Sequence, residues 1–168
     1  SFTAITSFFV FELRWESGQP TLVCADPGGT RLSELTRGAP VAIALALEVG
    51  VAVARALARF HACALVHRDL KPENVWVSPS TGEAWLAGTG LTLRTSRSRH
   101  GDGPRDLVLG TFAYMAPEQT GRLNRSVDAR SDLYALGVVL YELLTARLPF
   151  VTTDAAQMLH AHVAREPV

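Results

Sequence analysis

The segment His67-Arg68-Asp69-Leu70-Lys71-Pro72-Glu73-Asn74 constrains this chain more than any other. It is too polar, and too interrupted by Pro72, to run on as a helix, yet apolar sequence flanks it on both sides. It therefore reads as a loop held between packed elements. Its side chains put a carboxylate (Asp69), an ammonium (Lys71) and a carboxamide (Asn74) within one short turn. Phosphoryl transfer needs little covalent chemistry from a protein. It needs a base or orienter for the attacking hydroxyl, a cation beside the transferring phosphate, and oxygen ligands for a metal. The three side chains supply one of each.

A chain of 168 residues is one domain's worth and can bury a core. Zero formal net charge, with a pI near 6.9, gives no electrostatic reason for nucleic acid or an acidic membrane as partner. Cys24 and Cys63 are too few for a disulfide framework and have no metal-ligand spacing, so free, buried thiols in a reducing cytoplasmic setting are expected. No secretory leader is read at Ser1, where a basic region, an apolar stretch and a cleavage site are all missing. Gly38 to Ala54 approaches the length of a membrane span. It is slightly short, it carries Glu48 centrally, and Arg55 and Arg59 continue its helical face, so it reads as a packed helix.

Taken in order, Phe8 to Phe11 is an apolar run that could be a strand, and Thr21 to Ala25 is a short strand entering the turn Asp26-Pro27-Gly28-Gly29. A short amphipathic helix is expected near Arg31 to Leu35. Val41 to His61, rich in Ala and Leu and free of Pro, predicts a mostly buried helix. After the polar octet, Val75 to Val77 and Ala84 to Ala87 read as a hairpin turned by Ser78 to Gly82, with Trp76 and Trp85 packing on facing strands. Leu91 to Leu109 is a long polar loop, of the length that is usually functional, with Thr95, Ser96 and Ser98 as phosphorylation candidates. Ser131 to Thr145 predicts a helix capped by Asp128 or Ser131 and apolar on every face, hence central. Thr152 to Ala164 reads as a last amphipathic helix beginning near Thr153 or Asp154, with His160 and His162 on opposite sides and no metal pair between them.

His67 to Asn74 matches H-R-D-x-x-x-x-N, and Gly110 to Glu118 (Gly-Thr-Phe-Ala-Tyr-Met-Ala-Pro-Glu) follows in the right order. Ser131 to Val138 and the run Tyr141 to Phe150 complete three ordered blocks. In these blocks the chain resembles the serine/threonine protein kinase family, the Lys at position 71 being the mark of that branch. From Ala113 to Tyr134 it is similar to the kinase modules of large bacterial multidomain signalling proteins. The resemblance implies an α+β, protein-kinase-like fold. Most of it would be the helical C-terminal lobe with a short β-hairpin, and the N-terminal lobe would be largely absent. Residues 1–20 would be a remnant, 21–30 the hinge, and 31–168 a helical lobe ending before its last helices.

The implied reaction moves the γ-phosphoryl group of ATP to a protein Ser or Thr, with Mg2+ as cofactor. Asp69 would orient the hydroxyl and take its proton, Lys71 would contact the γ-phosphate, Asn74 would hold magnesium, and Thr111 would bond Asp69 and Lys71. Ala25, Asp26 and Pro27 would lie at the adenine-binding hinge. Arg68 would meet a phosphorylated loop, Glu118 would pair with an arginine further on, and Asp132 would hold the catalytic-loop backbone beside His67. Partners would be a protein substrate or docking protein, together with further domains of a signalling protein.

Three departures stand against turnover. Gly88-Thr89-Gly90 occupies the place of the metal-binding Asp-Phe-Gly, so a carboxylate is lost. Lys71 is the only lysine, so the strand lysine that clamps ATP is missing too, and Pro27 has no N–H for adenine. The alternative is a pseudokinase that acts by docking.

Overall fold

The computed structural model of the chain describes residues 11–16, 18–24, 26, 28–36, 38–78, 80–88, 92–94, 112–121, 123 and 125–167. Ala25, Pro27, Thr89, Gly90, Thr111 and the three phosphorylation candidates lie outside them.

The chain opens on an antiparallel hairpin, β1 (Phe11–Glu16) and β2 (Gln19–Cys24), registered from Phe11 opposite Cys24 to Glu16 opposite Gln19. The expected strand Thr21 to Ala25 overlaps β2, and of the apolar run Phe8 to Phe11 only Phe11, the first residue of β1, is among the described residues. A two-residue strand, β3 (Thr30–Arg31), leads into α1 (Leu32–Thr36), and the long α2 (Ile43–Ala62) follows. Then come β4 (Leu65–Val66), the polar octet closed by a 3-10 turn at Pro72–Asn74, and the hairpin β5 (Val75–Ser78) and β6 (Glu83–Leu86). After β7 (Leu93–Arg94) and a second 3-10 turn (Pro117–Thr120), the helices α3 (Ala129–Thr145) and α4 (Ala155–Ala164) complete the described chain.

Three small antiparallel sheets hold these pieces: β1–β2, β3–β5–β6 and β4–β7. Trp76 and Trp85 are direct partners across β5 and β6, and the Arg31 guanidinium lies 5.1 Å from the Trp76 ring centroid.

The core forms where α2 crosses α3 and lies on β6. Val49, Val53, Ala56, Leu57 and Phe60, a helical stripe, are buried on one face of α2. Gly50 admits α3 closely, since a Cβ there would lie 3.1 Å from Leu140 Cδ2. The expectation of a mostly buried α2 and a central α3 holds for one face of each. Ile43, Leu47 and Val51 line an exposed face of α2, and Leu133 (53% exposed) and Leu144 do so on α3, because the described elements cover only one side of each. Cys63, expected to be buried, caps the C-terminal end of α2 and is exposed.

Helix ends follow local chemistry. Asp128 in extended backbone accepts from the Arg130 N–H and starts α3 two residues before the sequence reading placed it. Asp154 caps α4 by accepting from the Gln157 N–H. No helix of the described residues is long and apolar enough to cross a membrane.

Candidate active site

The octet leaves β4 as extended chain and is anchored at once by α3. Asp132, 1% exposed, accepts the His67 N–H at 2.9 Å on Oδ2 and the Arg68 N–H at 2.8 Å on Oδ1. His61, from the last turn of α2, adds a third contact, Nε2 to Asp132 Oδ2 at 2.7 Å. A carboxylate buried this deeply is tolerated because three N–H groups meet it.

His67 is itself fully buried, 5.6 Å from Phe60 between ring centroids, and its Nε2 lies 2.8 Å from the Ala87 carbonyl. Nδ1 faces the Asp69 N–H at 3.3 Å, so the neutral ring with hydrogen on Nε2 satisfies both sides. Burial lowers its affinity for a second proton, with Asp132 opposing this more weakly. Arg68 turns the chain through the left-handed region at φ +69°, uncommon outside glycine. It is held by Asp132 on its N–H and by Gln119 Nε2 on its carbonyl at 2.9 Å. Its Nε is buried with no hydrogen-bond partner among the described residues, and burial lowers its pKa.

The turn brings Asp69, Lys71 and Asn74 together. Asn74 Nδ2 donates to both the Asp69 carbonyl and Asp69 Oδ2 at 2.8 Å, and Lys71 Nζ stands 3.2 Å from the same Oδ2. Oδ1 of Asp69 is buried and receives no hydrogen bond among the described residues. One oxygen is thus fixed by the loop, and the other has no donor among the described residues. Such a carboxylate can take a proton from a hydroxyl brought against it, with an ammonium beside it to meet negative charge.

Magnesium does not fit what is present. Gly88, in the left-handed region at φ +74°, packs directly on the Asn74 carboxamide. A Cβ there would lie 2.5 Å from Asn74 Cγ and 2.7 Å from Oδ1, so no side chain can enter from position 88 with Asn74 as placed. Among the described residues the donor set is reduced to one neutral amide oxygen and one carboxylate, Asp69, whose Oδ2 is already engaged by Lys71 and Asn74. Among the described residues no cluster of three His, Cys, Asp or Glu could hold a metal ion.

Asp26, expected at the hinge, is exposed, and its Oδ1 accepts from the Gly28 N–H at 2.9 Å. Glu118 Oε1 accepts from the Ser131 hydroxyl at 2.5 Å. Three residues of the site carried no signal of their own in the sequence: His61, Gln119, and Glu142, whose carboxylate accepts from Tyr114 Oη at 2.6 Å. Burial raises the pKa of both Tyr114 and Glu142.

A helical lobe with a buried aspartate clamping a His-Arg-Asp loop, and a Lys and an Asn converging on that loop's carboxylate, defines a phosphotransferase architecture of the kinase type. Residues 22–166 match the protein kinase domain, and the chain belongs to that family. It is similar to the serine/threonine-protein kinase Pkn1 of Myxococcus xanthus, 38% identical over 161 residues that make up 94% of this chain and 23% of that protein. It is also similar to the DNA damage-responsive serine/threonine-protein kinase RqkA of Deinococcus radiodurans, 42% identical over 139 residues, 83% of this chain and 20% of that protein. Against the serine/threonine-protein kinase PknB of Mycobacterium tuberculosis it is 34% identical over 151 residues, 89% of this chain and 24% of that protein. The chain therefore spans about a fifth to a quarter of the length of these relatives.

Proposed function

We propose that the chain serves as the catalytic-loop lobe of a serine/threonine protein kinase domain within a larger bacterial signalling protein. The reaction its loop is built around moves the γ-phosphoryl group of ATP to a Ser or Thr hydroxyl of a protein. The observation that carries this reading is the divided state of Asp69, with Oδ2 held by Asn74 and Lys71 and Oδ1 without a hydrogen-bond partner among the described residues. The acceptor hydroxyl would sit against Oδ1. As its oxygen bonds to the γ-phosphorus, the bond from that phosphorus to the bridging oxygen of ADP breaks, and the hydroxyl proton passes to Asp69. Lys71 offers positive charge beside the transferring group. The names of the relatives and their greater length support the serine/threonine assignment and further domains in the same protein; a cytoplasmic setting belongs to the same proposal.

A second reading is favoured by one observation, the Gly88 backbone packed on Asn74 in place of a metal carboxylate. On it, the loop survives as architecture and the protein acts by docking a partner. One experiment separates the two: phosphate incorporation from labelled ATP into a Ser/Thr peptide library, with and without magnesium, in wild type and Asp69→Asn. The kinase reading expects incorporation that falls roughly a hundredfold or more in the variant. Wild type indistinguishable from the variant would leave the docking reading standing.

A further inference from the structure

We propose that Gln119 is a positioning residue for Asp69, linking the chain after Tyr114 to the catalytic loop through one side chain. Gln119 Oε1 accepts the Ala116 N–H at 3.1 Å, and its Nε2 donates to the Arg68 carbonyl at 2.9 Å. The opposite orientation of the amide would set donor against donor and acceptor against acceptor, so the assignment is fixed by its partners. Arg68 needs such support. Its left-handed backbone is unfavourable for a side chain with a Cβ, and only partners on both of its peptide planes hold it there. Asp132 fixes the plane before Arg68 through the Arg68 N–H, and Gln119 fixes the plane after it through the carbonyl. That second plane carries the Asp69 N–H, whose own bond to His67 Nδ1 is long, at 3.3 Å. Without Gln119, the peptide that sets the Asp69 carboxylate would be held from one side only.

The functional consequence rests on the kinase reading, whereas the positioning itself can be measured without turnover. Hydrogen–deuterium exchange of the whole chain compares wild type with Gln119→Glu, which keeps an acceptor for Ala116 and sets a second acceptor against the Arg68 carbonyl. The Arg68 and Asp69 amides are expected to exchange about fivefold faster, the effect of losing one net hydrogen bond, while Ala116 and α3 stay unchanged. Unchanged Arg68 and Asp69 amides in a folded variant would overturn the proposal and leave Gln119 as a cap of its own turn. Should Gln119→Glu fail to fold, Gln119→Met, which removes both the donor to Arg68 and the acceptor for Ala116 without adding charge, is judged by the same two amides, with Ala116 then also expected to exchange faster. Where wild type transfers phosphate, kcat is expected to drop roughly tenfold with KM for ATP unchanged, since small misplacements of a base are costly. A kcat equal to wild type would also overturn the proposal. Absent wild-type turnover would sink the kinase reading instead, and the exchange rates would still decide Gln119.

Discussion

Asp132 shows how much a single side chain can carry in this lobe. It answers two backbone N–H groups of the catalytic loop and His61 while almost wholly removed from water. Asp132→Ala would leave those donors without an acceptor, at a cost of about 3 kcal/mol. Urea denaturation is the check, and a loss below 1 kcal/mol would mean that water replaces the carboxylate. Gly88 is the opposite case, a residue that matters by having no side chain. Gly88→Ala forces a Cβ into the left-handed region and onto the Asn74 carboxamide, so about 1–3 kcal/mol of stability is expected to go. Asn74 must then turn away from Asp69. An unaltered melting curve would show that Asn74 is free to give way.

At the scale of elements, the crossing of α2 on α3 organises the lobe, and Gly50 sets its closeness. Gly50→Val adds methyl groups against Leu140 where even a Cβ is tight, so destabilisation of about 1–3 kcal/mol is expected despite the better helix propensity of valine. In a Leu140→Ala background most of that cost should vanish, and a double-mutant cycle with no interaction energy would refute the contact. The helices were legible in the sequence because their apolar period and caps are local properties: α2 begins and ends within two residues of the expected limits, and Asp128 and Asp154 cap α3 and α4 as their side chains allow. The first hairpin was half missed because β1 alone, with Glu12, Arg14 and Glu16 alternating with apolar residues, has a strand period that only its pairing with β2 makes decisive.

For the whole molecule, buried histidines tie stability to pH. Burial depresses the pKa of His67 and of His162, the latter bonded through Nδ1 to Tyr134 Oη at 2.8 Å and packed edge-on to Phe150. Below the ordinary value of 6.5 the unfolded chain binds protons on these rings that the folded chain refuses. Stability is therefore expected to be full above 6.5 and to fall as pH drops from there toward the folded values. Glu142 runs the other way: its raised pKa adds stability that is present below its ordinary 4.5 and is lost as pH rises through the folded value. Melting temperatures between pH 7.5 and 5.5 test the histidine contribution, and His162→Gln should flatten the decline. A flat wild-type profile would place neither ring in a proton-excluding site.

What the sequence by itself determined is the set of local periods and the order of the chemical groups. The octet with Asp69, Lys71 and Asn74 had to be a loop, and the apolar runs on either side had to pack. Those follow from residue type and near-neighbour spacing. The family resemblance already implied that Asp132, 65 residues beyond His67, would hold the loop, whereas tertiary structure alone decided that Gln119, 51 residues from Arg68, would grip its carbonyl. It also decided that Gly88 would close over Asn74 and that one face of α3 would remain exposed. Contacts of that range depend on where helices cross, and no local period encodes the crossing.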